Sequence, residues 1–352
     1  MTRISAHGFA IACMALFAPW FDIAGAKPVS VPGYSVTQRW TLGGAGGWDL
    51  LAVDAGSRRL YLSRSDRVIV VDTDTGKVAG EIAHTDGVHG IALAPALGRG
   101  YTSNGKANSV TVFDLKTLKP LAEVKIDGKN PDVILYDAAR QRVYTFNGRS
   151  NDISIIDANT LALAGTVALD GKPEFAVLGS RGQLYVNIED KSELALVDLD
   201  ALKVTAVWKL PDCEEPTGLA FDGAHHRLFS ACANHRLAVT DSEDGHSVAS
   251  VPIGGGPDGA EFDASSALVF TPNGSDGTLS IIHEDDPDHF SVVSTVTTQK
   301  SARTIVLDAQ SHRLFLPAAE FGEAPKATAD QPHPRPPVLP GSFKVLVVGP
   351  KE

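Results

Sequence analysis

Four carboxylates, one histidine, one arginine and one threonine recur along this chain at separations of 40 to 45 residues: Asp49, His89, Asp132, Glu174, Thr217, Asp258 and Arg303. Brought together, such a set could do several kinds of chemistry. Hard cations take several carboxylate oxygens and a transition metal adds an imidazole nitrogen, so Asp49, His89, Asp132, Glu174 and Asp258 could hold a divalent metal ion. The ring could equally bind a small ligand. It could also supply a general acid, a base and an oxyanion partner to a metal-assisted hydrolase or lyase. Unfilled, close carboxylates raise one another's proton affinity or pair with Arg303. The plainest alternative is a wet opening whose polar residues cap strand starts and bind water. Apart from the metal ion, no cofactor is implied. The sequence contains no GxSxG elbow, HExxH helix, CxxCH haem site or phosphate loop in a strand-to-helix context.

Each of the seven opens one copy of a repeat. Leu50 to Tyr61 reads LLAVDAGSRRLY and is followed by RVIVVD; Val133 to Tyr144 reads VILYDAARQRVY, followed by DISIID; Gly218 to Phe229 reads GLAFDGAHHRLF, followed by RLAVTD. A period near 40 residues with about four short strands per unit indicates the blades of a β-propeller. The last copy lacks a fourth strand, and a strand at 34–42 precedes the first copy. Pairing the two closes a seven-bladed, all-β ring and removes an exposed sheet edge. In that fold the seven residues gather at the top mouth of the channel. The Asp ending each third strand, such as Asp72 or Asp157, is expected to cap a turn.

Several stretches resemble the YVTN-repeat, YncE-like bacterial propellers: Gly46-Gly47-Trp48-Asp49, Gly87-Val88-His89-Gly90, Lys129-Asn130-Pro131-Asp132, Lys172-Pro173-Glu174-Phe175, Cys213-Glu214-Glu215-Pro216-Thr217-Gly218 and Ala302-Arg303-Thr304. The resemblance covers essentially all of residues 27–352 and implies the propeller fold. Propellers host binding proteins, scaffolds and enzymes alike.

A second shell on the top face is expected from the ends of the second strands: Arg64, Asn104, Asn147, Asn187, Glu189, Asn234, His235, Asn273 and Glu320. Asn suits such places because it tolerates left-handed turns. Glu189 and His235 are the members expected to face a ligand, and Trp48 offers an aromatic wall or a packing residue. Cys213 and Cys232 both fall on the top face of the fifth blade, so a disulfide is expected. A proline-rich stretch at 324–341 should form an extended top-face loop that either covers the mouth or packs on the rim.

Composition narrows the partners. With 31 Lys and Arg against 42 Asp and Glu, the formal charge is −11, which argues against nucleic acid. Residues 1–26 read as an export signal: Arg3, an apolar run from Phe9 to Phe21, and Ala24-Gly25-Ala26. The run is too short for a membrane span. The expectation is a periplasmic or secreted monomer with domain limits 27–352, leaning away from catalysis. It would bind a small ligand or an envelope protein through the top face, or act as an envelope-complex scaffold.

Overall fold

Second and third strands of this chain are buried almost throughout, while fourth strands are largely exposed with a buried residue near the end. Arg142–Asn147 and Asp152–Asp157 bury nearly every residue, whereas Leu163–Ala168 runs exposed, exposed, half-buried, exposed, buried, exposed. Strands covered on both faces lose the two-residue polarity pattern. Sheets that stack face to face around an axis produce this contrast between middle and outer strands. The computed structural model describes residues 1–2, 32–326, 334 and 336–351, and shows seven four-stranded antiparallel sheets. Most of the segment expected to be an export signal, and residues 327–333 and 335 of the proline-rich loop, lie outside the described residues. Among the described residues no helix is long and apolar enough to cross a membrane.

Six sheets are consecutive in sequence. Blade 3, for example, runs Pro131–Asp137, Arg142–Asn147, Asp152–Asp157 and Leu163–Ala168 from the channel outward. Blade 7 takes three strands from the C-terminal part, Val306–Asp308, Arg313–Ala318 and Lys344–Pro350. Tyr34–Thr41 is its outermost member. Register runs from Tyr34 opposite Pro350 to Thr41 opposite Lys344, so the closure expected from the sequence is present.

Apolar contacts between neighbouring blades form the core. Tyr144, Phe146 and Ile155 of blade 3 pack on Leu184, Val186 and Val197 of blade 4. Phe270 and Ile281 of blade 6 pack on Leu314, Leu346, Val348 and Tyr34 of blade 7. A polar stitch overlies this packing. Arg59 donates to the Leu115 carbonyl of the next blade, Arg99 to Ala158, Arg142 to Leu199 and Arg227 to Pro287. Tyr185 serves the same purpose toward Ser242, and Arg313 reaches Thr73 at 2.9 Å to join blade 7 to blade 1. Blade 6 has Leu268 where the arginine would be; His312 of blade 7 meets Asp263 there instead, at 2.7 Å.

The third-strand aspartates cap turns as expected. Asp72 accepts the backbone N–H groups of Asp74 and Thr75, and Asp157 those of Asn159 and Thr160. With the Thr75 and Thr160 hydroxyls, which donate to the same oxygens, these bonds hold both carboxyls below the usual range, led by the Thr75 hydroxyl at Asp72 and the Thr160 N–H at Asp157. The asparagines ending second strands play a different part from the one expected. Asn104, Asn147 and Asn273 are buried with no left-handed backbone, and their amides donate to Ser and Thr hydroxyls of the third strand. Asn187 instead holds the Thr217 and Gly218 carbonyls of blade 5. The left-handed turn positions fall nearby, at Asn108, Asn130 and Asn151.

Candidate functional site

The first strands all begin at one end of the channel, and their opening residues are tied down by backbone bonds. Asp49 N–H donates to Ser63 Oγ at 2.9 Å, Leu50 N–H to the His89 carbonyl at 3.2 Å, and Thr304 Oγ1 to the Asp49 carbonyl at 2.9 Å. Gly218 and Gly259 come so close that a β-carbon on Gly218 would lie 2.2 Å from Gly259 backbone. Glycine permits this approach of two inner strands.

Six of the seven marker residues meet at the mouth. Arg303 donates through Nε to Asp258 Oδ2 at 2.6 Å and through Nη2 to Asp49 Oδ1 at 3.1 Å. The second oxygen of Asp49 takes His89 Nδ1 at 2.6 Å, and that nitrogen lies 3.6 Å from Asp132 Oδ1. Glu174 lies beyond Asp132 and is paired with Lys172 Nζ at 2.5 Å; the same ammonium also binds Glu189. Thr217 stands apart: its hydroxyl donates within the backbone, to Pro257 at 2.9 Å and Ala231 at 3.3 Å. It therefore locks a strand start and does not join the ring.

Proton affinities follow from this crowding. Burial raises the Asp132 carboxyl to about 6, helped by Asp49 and opposed by His89. Burial and then Asp132 push Glu174 to about 8 against the pull of Lys172. Burial lifts Asp258 to about 7, although Arg303 works the other way. At His89 burial disfavours the charge, but the Asp49 hydrogen bond and the charges of Asp132, Asp49 and Glu174 outweigh it, lifting the imidazole to about 9. One ligand atom each from Asp49, His89 and Asp132 lie within 4.8 Å of one another, a set that could hold a cation.

Beside the ring lies a cavity of about 780 Å³, lined by Gly44 to Trp48, Arg303, Phe321, Pro336, Val338, Pro340 and Gly341. Trp48 stacks near Phe321 at 5.8 Å and Phe343 at 5.4 Å between ring centroids, so it is both packing residue and wall. Phe321 and Val338 form an isolated β-bridge, which holds the described ends of the proline-rich loop against the mouth. Beneath the glycine loop Arg64 is fully buried, donating to the carbonyls of Gly44 and Ala45 and lying 3.6 Å from the centre of Phe343. It supports the loop from below.

The remaining residues expected around the mouth divide. Glu189 reaches the ring through Lys172. His235 is an exposed left-handed turn residue against Gly255, Asn234 donates to the Asp212 carbonyl, and Glu320 pairs with Lys344. Cys213 and Cys232 form the expected disulfide.

Two residues escaped the sequence reading, Lys172 at the mouth and Glu261 on the first strand of blade 6. Lys172 sits two places before a marker and carried no periodic signal. Glu261 lies three places after Asp258, where the other first strands have Ala52, Ala92, Leu135, Val177, Ala220 and Val306. Burial raises its carboxyl to about 8, against a backbone hydrogen bond at Leu307. A lone acid among six apolar equivalents was a legible signal.

Neither a family model nor a curated protein matches this chain. Among solved structures it is similar to a chain of the Kuenenia stuttgartiensis hydrazine synthase, with a TM-score of 0.67 and 15% identity over 77% of this chain and 92% of that one. It is also similar to U3-55K, with a TM-score of 0.74 and 8% identity over 89% and 99%. The RRP9 WD40 repeats give 0.74 and 8% over 90% and 99%. At these identities the likeness is one of fold. The chain is a β-propeller, an architecture that commonly serves as a binding or scaffold module.

Proposed function

We propose that this propeller is a binding module which takes a positively charged group of its ligand into the channel mouth and lays the ligand's apolar part in the adjoining cavity. The charge imbalance at the mouth carries the reading. Five carboxylates (Asp49, Asp132, Glu174, Glu189 and Asp258) face three cations, His89, Lys172 and Arg303. Burial, and after it the neighbouring carboxylates, raise three of the five acids, Asp132 to about 6, Asp258 to about 7 and Glu174 to about 8, against the pull of the cations present. An entering ammonium or guanidinium would displace those protons and gain attraction in a poorly solvated site. Trp48, Phe321 and Val338 give the cavity the mostly apolar wall typical of small-ligand sites. The ligand is a small amphiphilic cation, with a basic side chain of an envelope protein as the macromolecular counterpart.

Export to an oxidising compartment belongs to the same proposal, supported by the apolar segment at 9–21 and by the disulfide. The resemblance of the repeat to YVTN-type propellers supports placing the chain among them.

The test is thermal shift at pH 7.5 with alkylamines and alkylguanidines, each matched to the carboxylate of equal chain length. The cations are expected to raise Tm, and the double variant Asp132→Asn, Glu174→Gln to remove that rise. Equal shifts in the double variant, or stronger stabilisation by the carboxylates, would overturn the reading.

A further inference from the structure

At the opposite rim of the ring, blades 5 and 6 bury a second polar cluster. In five blades the residue after the third-strand aspartate donates its N–H to the turn before the second strand: Thr73 to Arg58, Leu115 to Gly98, Ala158 to Gln141, Leu199 to Gly182 and Ser242 to His226. Blade 6 makes the same bond from Glu284 to Ala267 at 2.9 Å. A carboxylate therefore stands where the equivalent positions carry small or apolar side chains. It is not at the surface: Glu284 is 4% exposed, and among the described residues neither of its oxygens has a hydrogen-bond partner.

Asp222 faces it from the end of the first strand of blade 5, also buried. Its Oδ1 caps a turn by accepting the Ala224 N–H at 2.8 Å, and its Oδ2 has no hydrogen bond among the described residues. His225, on the turn that follows, brings Nδ1 to 2.6 Å from Asp222 Oδ2 and 3.1 Å from Glu284 Oε1, neither with hydrogen-bond geometry. Its ring is half exposed. One donor atom from each of the three lies within 4.8 Å of the others. The neighbouring cation is engaged elsewhere, since Arg227 is held by Asp241, Asp288 and the Pro287 carbonyl.

Two buried carboxylates with unpartnered oxygens are costly unless something positive lies between them. A proton serves in the empty state, where burial and Asp222 raise Glu284 to about 7. Two carboxylate oxygens and one imidazole nitrogen, open to solvent on one side, suit a four-coordinate dication with a water in the last position.

We propose that Asp222, His225 and Glu284 form a binding site for a divalent transition-metal ion of the zinc class, clamping blade 5 to blade 6 on the face opposite the ring. The site is independent of ligand binding at the mouth, because it lies at the far ends of the strands. The full chain, stripped with chelator and dialysed, would be titrated with zinc chloride by calorimetry, with Tm followed in parallel. Wild type should show a zinc-binding event and a rise in Tm. Glu284→Leu, which installs the residue found at Leu115 and Leu199, should lose that event yet melt no lower than metal-free wild type. His225→Ala, a change at a half-exposed turn, should weaken binding by at least about tenfold. Asp132→Asn at the mouth should keep the event. No zinc event in wild type, or an event unchanged in both Glu284→Leu and His225→Ala, would overturn the proposal.

Discussion

Lys172 is the residue on which the charge balance of the mouth turns. Its ammonium is shared between Glu174 at 2.5 Å and Glu189, and is itself raised by both once the cost of burial is overcome. Replacing it with methionine keeps the stem and removes the charge, leaving two carboxylates facing each other across a partly desolvated gap. Because the lysine head reaches solvent, the loss is discounted to about 1–2 kcal/mol. Lys172→Met is expected to lower Tm at pH 8.5 and much less at pH 5.5, where Glu174 already carries a proton. Denaturant unfolding at the two pH values measures the difference; equal losses at both would show that the lysine acts by packing. This residue also shows where sequence reading stopped. A marker every forty residues places Glu174 and its six counterparts, but nothing periodic announces the lysine that neutralises one of them. Thr217 illustrates the converse, for it holds a marker position and spends its hydroxyl on carbonyls.

Among the elements, the repeat told more about strands than about what lies between them. Seven sheets, the borrowed outer strand and the turn-capping aspartates follow from residue types at a fixed period. The cavity does not, because Gly44 to Trp48 on one side and Phe321, Pro336, Val338, Pro340 and Gly341 on the other come from opposite ends of the chain and from outside the repeat. Glu261 and Glu284 were readable in principle as departures from the residues at equivalent positions, yet a departure has meaning only once the register is known. The arginine stitch gives the element scale its own test. Arg313 to the Thr73 carbonyl is the bond that joins the last blade to the first, while Arg142 to the Leu199 carbonyl joins two blades already adjacent in sequence. A charged donor to a carbonyl contributes on the order of 2 kcal/mol. If ring closure is cooperative, Arg313→Ala should cost at least as much as Arg142→Ala in urea unfolding and should also raise the unfolding rate. A smaller cost at Arg313 would mean that the paired Tyr34–Thr41 strand alone secures the closure.

On the scale of the whole molecule, the buried acids of the mouth, the inner strand of blade 6 and the opposite rim shift stability in one direction. The folded chain keeps protons on Asp132, Glu174, Asp258, Glu261 and Glu284 up to between about 6 and 8, whereas unfolded carboxyls release them near 4. Between those limits the folded state binds more protons, so raising the pH destabilises it. His89 adds to the same trend: its charge is favoured up to about 9, so its contribution is fully present below 6.5 and is lost as pH rises through 9. The turn aspartates work the other way. Asp72 and Asp157 are held low, so their stabilisation is present above 3.8 and disappears as pH falls below it. Stability should therefore peak in mild acid and fall toward alkaline pH. Scanning calorimetry of the metal-free chain is expected to give a Tm at pH 5.5 at least about 3 °C above that at pH 8.5, the size of a loss of roughly 2 kcal/mol in a ring of this length. Glu174→Gln combined with Glu261→Gln should flatten the curve by raising its alkaline limb, because an amide needs no proton to remain neutral. A Tm that instead climbs from pH 5.5 to 8.5 would mean that water reaches these carboxylates freely, and the mouth would then have no unmet demand for positive charge.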